Sequence, residues 1–147
     1  MVTIAIIGCG RIAINAHLPQ LAEMKNAKIK YVCDVIESKA QTAKEKFAPN
    51  AKVITDYNVA LADKEVDGVF VLTPNFAHYT VTMDALKAGK HVMCEKPITV
   101  SYKLSQKMAE EAEKQGKILQ IGVCNRYNKA VETIEKFIRE GKLGRVY

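Results

Sequence analysis

The chain has 147 residues, 48% hydrophobic and 26% charged, the balance of one ordinary globular domain large enough to bury a core. No apolar run approaches the roughly 18 residues of a membrane span, so a membrane-crossing helix is excluded. The net charge of +6 (22 Lys+Arg against 16 Asp+Glu) is spread singly along helical patterns, often beside glutamate, with neither basic runs nor basic–aromatic interleaving, so nucleic acid is not an expected partner.

Strand and helix signals alternate along the whole chain. Residues 2–7, Val-Thr-Ile-Ala-Ile-Ile, are apolar and β-branched and predict a buried strand. They lack a preceding positive region and run straight into a glycine turn, so they do not read as a signal peptide. A helix is expected over residues 11–24, kinked or restarted at Pro19, which cannot donate to the preceding turn. Residues 28–34 predict a second strand. Residues 38–47 predict a helix with Ala40, Ala43 and Phe47 on one face, closed by Pro49.

A short strand at 52–55 and a short helix at 56–62 come next. Residues 66–72 contain Val69-Phe70-Val71-Leu72, which fits a strand covered on both faces. Helix 77–88 is stopped by Gly89, and strand 91–94 follows. Ser101 is placed to N-cap a helix through residue 115 that carries Leu104, Met108 and Ala112 on one face. Residues 117–124 predict a sixth strand. Ala130, Val131, Ile134, Phe137 and Ile138 then mark an amphipathic helix ending at Gly141. Six strands interleaved with helices predict an α/β fold with a doubly wound, mainly parallel sheet. Cys9, Cys33, Cys94 and Cys124 lie far apart, at or near strand ends, and are expected to be buried reduced thiols of a cytoplasmic protein, with no metal site.

Three segments carry chemistry. Gly8-Cys9-Gly10-Arg11-Ile12-Ala13 is G-x-G-x-x-A between a strand and a helix, the setting of a Rossmann dinucleotide fingerprint. There Gly8 permits the tight turn, Gly10 lets a pyrophosphate approach the backbone, and small Ala13 lets helix and strand pack. Asp34, ending the second strand, can accept from the adenosine ribose hydroxyls and would repel a 2′-phosphate, which favours NAD. Arg11 keeps NADP as the alternative, and a loop or cap carboxylate is the plainer reading of Asp34. Thr73-Pro74-Asn75-Phe76-Ala77-His78 leaves the fourth strand where open α/β sheets bind ligands, and it reads equally as a turn with Asn75 capping the next helix. Glu95-Lys96-Pro97 leaves the fifth strand. Lys96 can clamp or protonate a substrate oxygen, and Glu95 can hold Lys96 or bond a nicotinamide ribose; a surface Glu–Lys pair fits the spacing equally well.

In this order, the fingerprint, Thr73-Pro74-Asn75 and Glu95-Lys96-Pro97 resemble the glucose–fructose oxidoreductase / inositol dehydrogenase family (Gfo/Idh/MocA). His17-Leu18-Pro19, Ala88-Gly89-Lys90-His91-Val92, Asn125-Arg126-Tyr127-Asn128 and Gly141-Lys142-Leu143-Gly144 add to the resemblance, which covers essentially the whole chain. It implies an NAD(P)-dependent oxidoreductase acting on a small polyol, sugar or cyclitol. Lys96 would assist substrate binding and proton transfer, and the bond before Pro97 would often be cis. Glu95, Asn75 and His78 would lie near the cofactor, and the loop holding Arg126 would line the pocket.

Relatives of this kind continue into an antiparallel substrate domain that often forms the oligomer interface. Residues 1–140 are therefore expected to be the dinucleotide-binding domain and residues 141–147 the start of the next. Such a chain should bind dinucleotide yet be catalytically incomplete. A stand-alone nucleotide-binding or redox-sensing module acting on a protein partner is the competing reading. A methyltransferase is set aside because Glu95-Lys96-Pro97 has no role there. His17 and His91 are expected to be structural, while His78 stands between helix start and cofactor contact.

Overall fold

In a computed structural model describing residues 1–147, six parallel strands form one sheet in the order β3-β2-β1-β4-β5-β6. The strands are β1 (Val2–Ile7), β2 (Ala27–Cys33), β3 (Lys52–Ile54), β4 (Gly68–Val71), β5 (His91–Cys94) and β6 (Leu119–Ile121). The helices are α1 (Leu18–Glu23), α2 (Glu37–Phe47), α3 (Asn58–Ala62), α4 (His78–Lys87), α5 (Tyr102–Lys114) and α6 (Lys129–Arg139). This is the doubly wound architecture the alternation predicted, and the order reverses between β1 and β4.

Burial on both faces explains the unbroken apolar strands. Ala5 and Ile7 of β1 pack with Val69, Val71, Val81 and Leu86 on the α3–α4–α5 side. Ile4 and Ile6 pack with Leu18, Leu21, Ala40 and Ala43 on the α1–α2 side. Side chains one residue apart thus feed opposite layers, as the period of a strand requires.

Four local expectations change. The irregularity in the first helix precedes Pro19. Residues Ala13–His17 form a π turn in which the Leu18 N–H reaches back to the Ala13 carbonyl, five residues instead of four. Pro19 then sits in the first turn of α1, where a missing N–H is tolerated. Ser101 precedes α5 but its side chain makes no cap bond, and Asn75 opens a 3₁₀ turn (Asn75–Ala77) without capping α4. The sixth strand is only Leu119–Ile121, since pairing with β5 ends when Cys94 has matched Ile121. The amphipathic helix forms as α6, yet none of its residues is buried.

Candidate active site

The carboxyl ends of β1, β2, β4 and β5 gather the chemistry-bearing segments on one edge of the sheet. Gly8 follows β1 with φ of 97°, and a Cβ there would stand 2.6 Å from the Leu72 carbonyl carbon and oxygen. That turn therefore needs glycine for the fold itself: the left-handed backbone and the neighbouring strand both exclude a side chain. Gly10 is different. A Cβ at Gly10 would meet nothing within 4 Å, and its φ is not positive. The Gly10 carbonyl accepts from the Ile14 N–H at 3.1 Å, starting the helix, and Ala13 is fully buried beneath it.

Asp34 lies just past β2 and faces this turn. Its Oδ2 accepts from the Cys9 N–H and its Oδ1 from the Ile36 N–H, both at 2.9 Å. The carboxylate thus bridges the glycine turn to its own loop, and both oxygens keep further lone pairs. Burial, with the Asp34 charge second, pushes the Cys9 and Cys33 thiols up to about 12, so neither is a nucleophile. Burial likewise raises Cys94, to about 11. Cys124 corrects the expectation of four buried thiols: it is exposed, because the turn that follows β6 carries no overlying layer.

On the other side of β1, Thr73 lines the cleft, and its hydroxyl is buried without a partner. His78 is 1% exposed. Its Nδ1 lies 2.7 Å from the Pro97 carbonyl and its Nε2 lies 2.9 Å from the Thr73 carbonyl. Both partners only accept, so the ring is the donor across this gap. The ring ties the end of β4 to the loop after β5 and borders the cleft beside Thr73. The Lys96–Pro97 bond is cis.

Glu95 is 9% exposed, so the surface-pair reading fails: the strand end turns it inward. Its Oε1 accepts from His17 Nε2 at 2.8 Å and its Oε2 from the Lys96 backbone N–H at 2.9 Å. Glu95 thus holds the backbone of Lys96 and not its ammonium. The exposed Lys96 side chain makes no hydrogen bond or ion pair.

Two adjoining clefts result. One, about 370 Å³, is lined almost wholly by polar residues: Arg11, Asn15, Thr73, Asn75, His78, Glu95 and Lys96. The other, about 470 Å³, runs past Gly8, Gly10 and Asp34 and is walled by apolar groups including Val35, Ile36 and Pro74. Arg11, Ile12 and Thr73 border both. Phe76, on the wall of the larger cleft, is 83% exposed. Arg126 is not brought in: its 3₁₀ turn (Cys124–Tyr127) is exposed and neither cleft includes it. Sequence reasoning missed Asn15, His17, Val35 and Ile36, and gave Phe76 only as part of its segment. The one available signal for them was the apolar pair straight after Asp34 at the end of the second strand.

The glycine turn, the strand-end carboxylate and the strand order fit a dinucleotide. Residues 2–123 match the model of an oxidoreductase family with an NAD-binding Rossmann fold, Gfo/Idh/MocA. The chain belongs to this family. It is 37% identical over 141 residues to inositol 2-dehydrogenase of Salmonella typhimurium, covering 95% of this chain and 42% of that one. To D-glucoside 3-dehydrogenase of Escherichia coli it is 35% identical, covering 98% and 41%. Among solved structures, a 3-ketoreductase of Actinomadura kijaniata in complex with NADP and TDP-benzene superposes with a TM-score of 0.87 at 25% identity, covering 95% and 42%. The WlbA dehydrogenase of Bordetella pertussis, in complex with NADH and UDP-GlcNAcA, gives 0.89 at 26%, covering 99% and 42%. The Gfo/Idh/MocA chain described here thus spans about two fifths of the length of these relatives. No helix in it is long and apolar enough to cross a membrane.

Proposed function

We propose that the chain is the cofactor-binding part of a cytoplasmic dehydrogenase that uses NAD, with NADP second, and acts on a sugar, cyclitol or related hydroxy compound. The observation that carries the cofactor reading is Gly10: the protein's own packing does not require a glycine there, so the space above it is kept for a ligand. The unpartnered Thr73 hydroxyl points to the same cleft.

In this reading the pyrophosphate lies over Gly10 and Arg11, the adenosine ribose at Asp34, and the adenine between the apolar groups Ile36 and Phe76. The nicotinamide end falls beside Thr73, Asn75 and Glu95, close to Lys96. When bound, the nicotinamide supplies the hydride acceptor or donor. The chain's own contribution is orientation and proton handling: Lys96 Nζ, unpaired and exposed, is free to hold or move the proton of a substrate hydroxyl. His78 and Glu95 hold the two loops that frame that position. Catalysis needs groups beyond this domain, because Lys96 is the one uncommitted acid–base side chain brought to this wall, and the relatives are more than twice as long.

Calorimetric titration tests this. Micromolar NADH binding, weaker NADPH binding, and no steady-state oxidation of polyols by these 147 residues are expected. Absence of binding by either nucleotide would reject the assignment.

A further inference from the structure

We infer that the π turn of the fingerprint helix makes His17 a positioning residue for the nicotinamide end of the cleft, acting through Glu95. The inference rests on the cofactor reading above and adds a residue to it.

An α-helix running evenly from Gly10 would carry residue 17 round by a different angle. The wider π turn changes the angle at which its last residue leaves the axis. The turn ends on His17, whose Nε2 donates to Glu95 Oε1 at 2.8 Å across 78 residues of chain. Its ring is fixed edge-on against Phe70 of β4, with centroids 5.8 Å apart at 69°. The space beside Glu95 is confined as well. A Cβ at Gly122, just past β6, would lie 3.0 Å from Glu95 Oε1 and 3.2 Å from its Cδ, so that glycine makes room for the carboxylate. The second oxygen accepts from the Lys96 N–H.

The carboxylate is therefore held by the first helical segment and the following backbone, in a space that a side chain at Gly122 would invade, and the first atoms of Lys96 are set by it. The buried Glu95 would be costly to desolvate alone. One N–H from His17 satisfies one oxygen and leaves the ring on the protein side of the cleft. His17 needs no contact with a ligand to do this.

The test separates the two ends of the dinucleotide. NADH and ADP-ribose, which lacks the nicotinamide, are titrated into the 147-residue chain and its His17→Ala, His17→Gln and Gly122→Ala variants, with thermal unfolding followed in parallel. His17→Ala should weaken NADH about tenfold and change ADP-ribose less than about twofold. His17→Gln, whose amide can donate from a similar place, should restore most NADH affinity. Gly122→Ala, which crowds Glu95 without touching His17, should reproduce the NADH-selective loss. Equal losses of both ligands, or no loss of either, would overturn the role of His17. Wild-type chain that binds neither ligand would instead overturn the cofactor reading and this inference with it.

Discussion

The Cys9 amide donates to Asp34 Oδ2 at 2.9 Å across 25 residues, so the carboxylate proposed to receive the ribose also holds the glycine turn in place. Its other oxygen takes the Ile36 N–H at 2.9 Å. Removing the acid therefore does more than remove repulsion of a 2′-phosphate. Asp34→Ala should strand two amides, lower stability by about 1–3 kcal/mol, and weaken NADPH along with NADH. Calorimetry with both cofactors checks this; a clean switch to NADPH would show that the carboxylate acts on the ligand alone.

The two fingerprint glycines should fail in opposite ways. Gly8→Ala forces a Cβ onto Leu72 backbone 2.6 Å away at φ 97°, and should cost more than about 2 kcal/mol of stability or prevent folding. Gly10→Ala meets no protein atom within 4 Å, so the melting temperature should hold while NADH affinity falls at least about tenfold. Thermal unfolding beside ligand titration separates the two.

Lys90 and Lys96 flank β5 and differ in environment. Lys90 is 6% exposed and donates to the Asp63 and Val66 carbonyls at 2.7 and 2.8 Å. Lys90→Ala leaves those carbonyls short of a donor and should cost about 2–4 kcal/mol, whereas Lys96→Ala should stay within about 0.5 kcal/mol because its side chain has no partner. Burial holds Lys90 below the ordinary lysine range against the pull of Asp63 and Asp67. The folded state then binds that proton less tightly than the unfolded one, so this group's contribution improves as pH rises from the lowered value toward about 10.4. Urea midpoints across the alkaline range for wild type and Lys90→Met measure it.

Asp63 governs the acid side. Its Oδ2 takes the Lys30 ammonium and the Tyr31 hydroxyl, and its Oδ1 takes the Glu65 N–H. These partners, Lys30 first, hold the Asp63 carboxyl well below the ordinary carboxylate range. The unfolded chain therefore gains this proton before the folded one. Its contribution is complete above about pH 3.9 and is lost as pH falls further, while Asp63→Asn should show a shallower acid loss. Urea unfolding between neutral pH and pH 3 is the measurement.

Thiol chemistry gives a count. Of the four free cysteines only Cys124 is exposed, so an aromatic disulfide reagent at pH 8 should titrate one thiol in the native chain and four after denaturation. Rapid reaction of two or more would contradict the burial of Cys9, Cys33 and Cys94.

What the residues alone determined was the alternation and the strand-end chemistry. Runs such as Ile4–Ile7 and Val69–Val71 must be covered on both faces, and that burial with intervening helices leads to a parallel sheet whose carboxyl ends carry Gly8, Asp34, Thr73 and Lys96. These signals are local, written in period and in turn chemistry. The partners of those residues were decided only by the tertiary structure, because they depend on contacts across many residues of chain. His17 reads as one more helix residue until a π turn rotates it onto Glu95, 78 positions away. His78 reads equally as a helix start or a cofactor contact, and only the fold shows two carbonyls set against its ring. Arg126 matches the family's order of motifs yet lies outside the cleft, since nothing packs on the turn that carries it. Sequence period reports which face of an element is buried; hydrogen-bond partners follow from which elements the sheet makes neighbours.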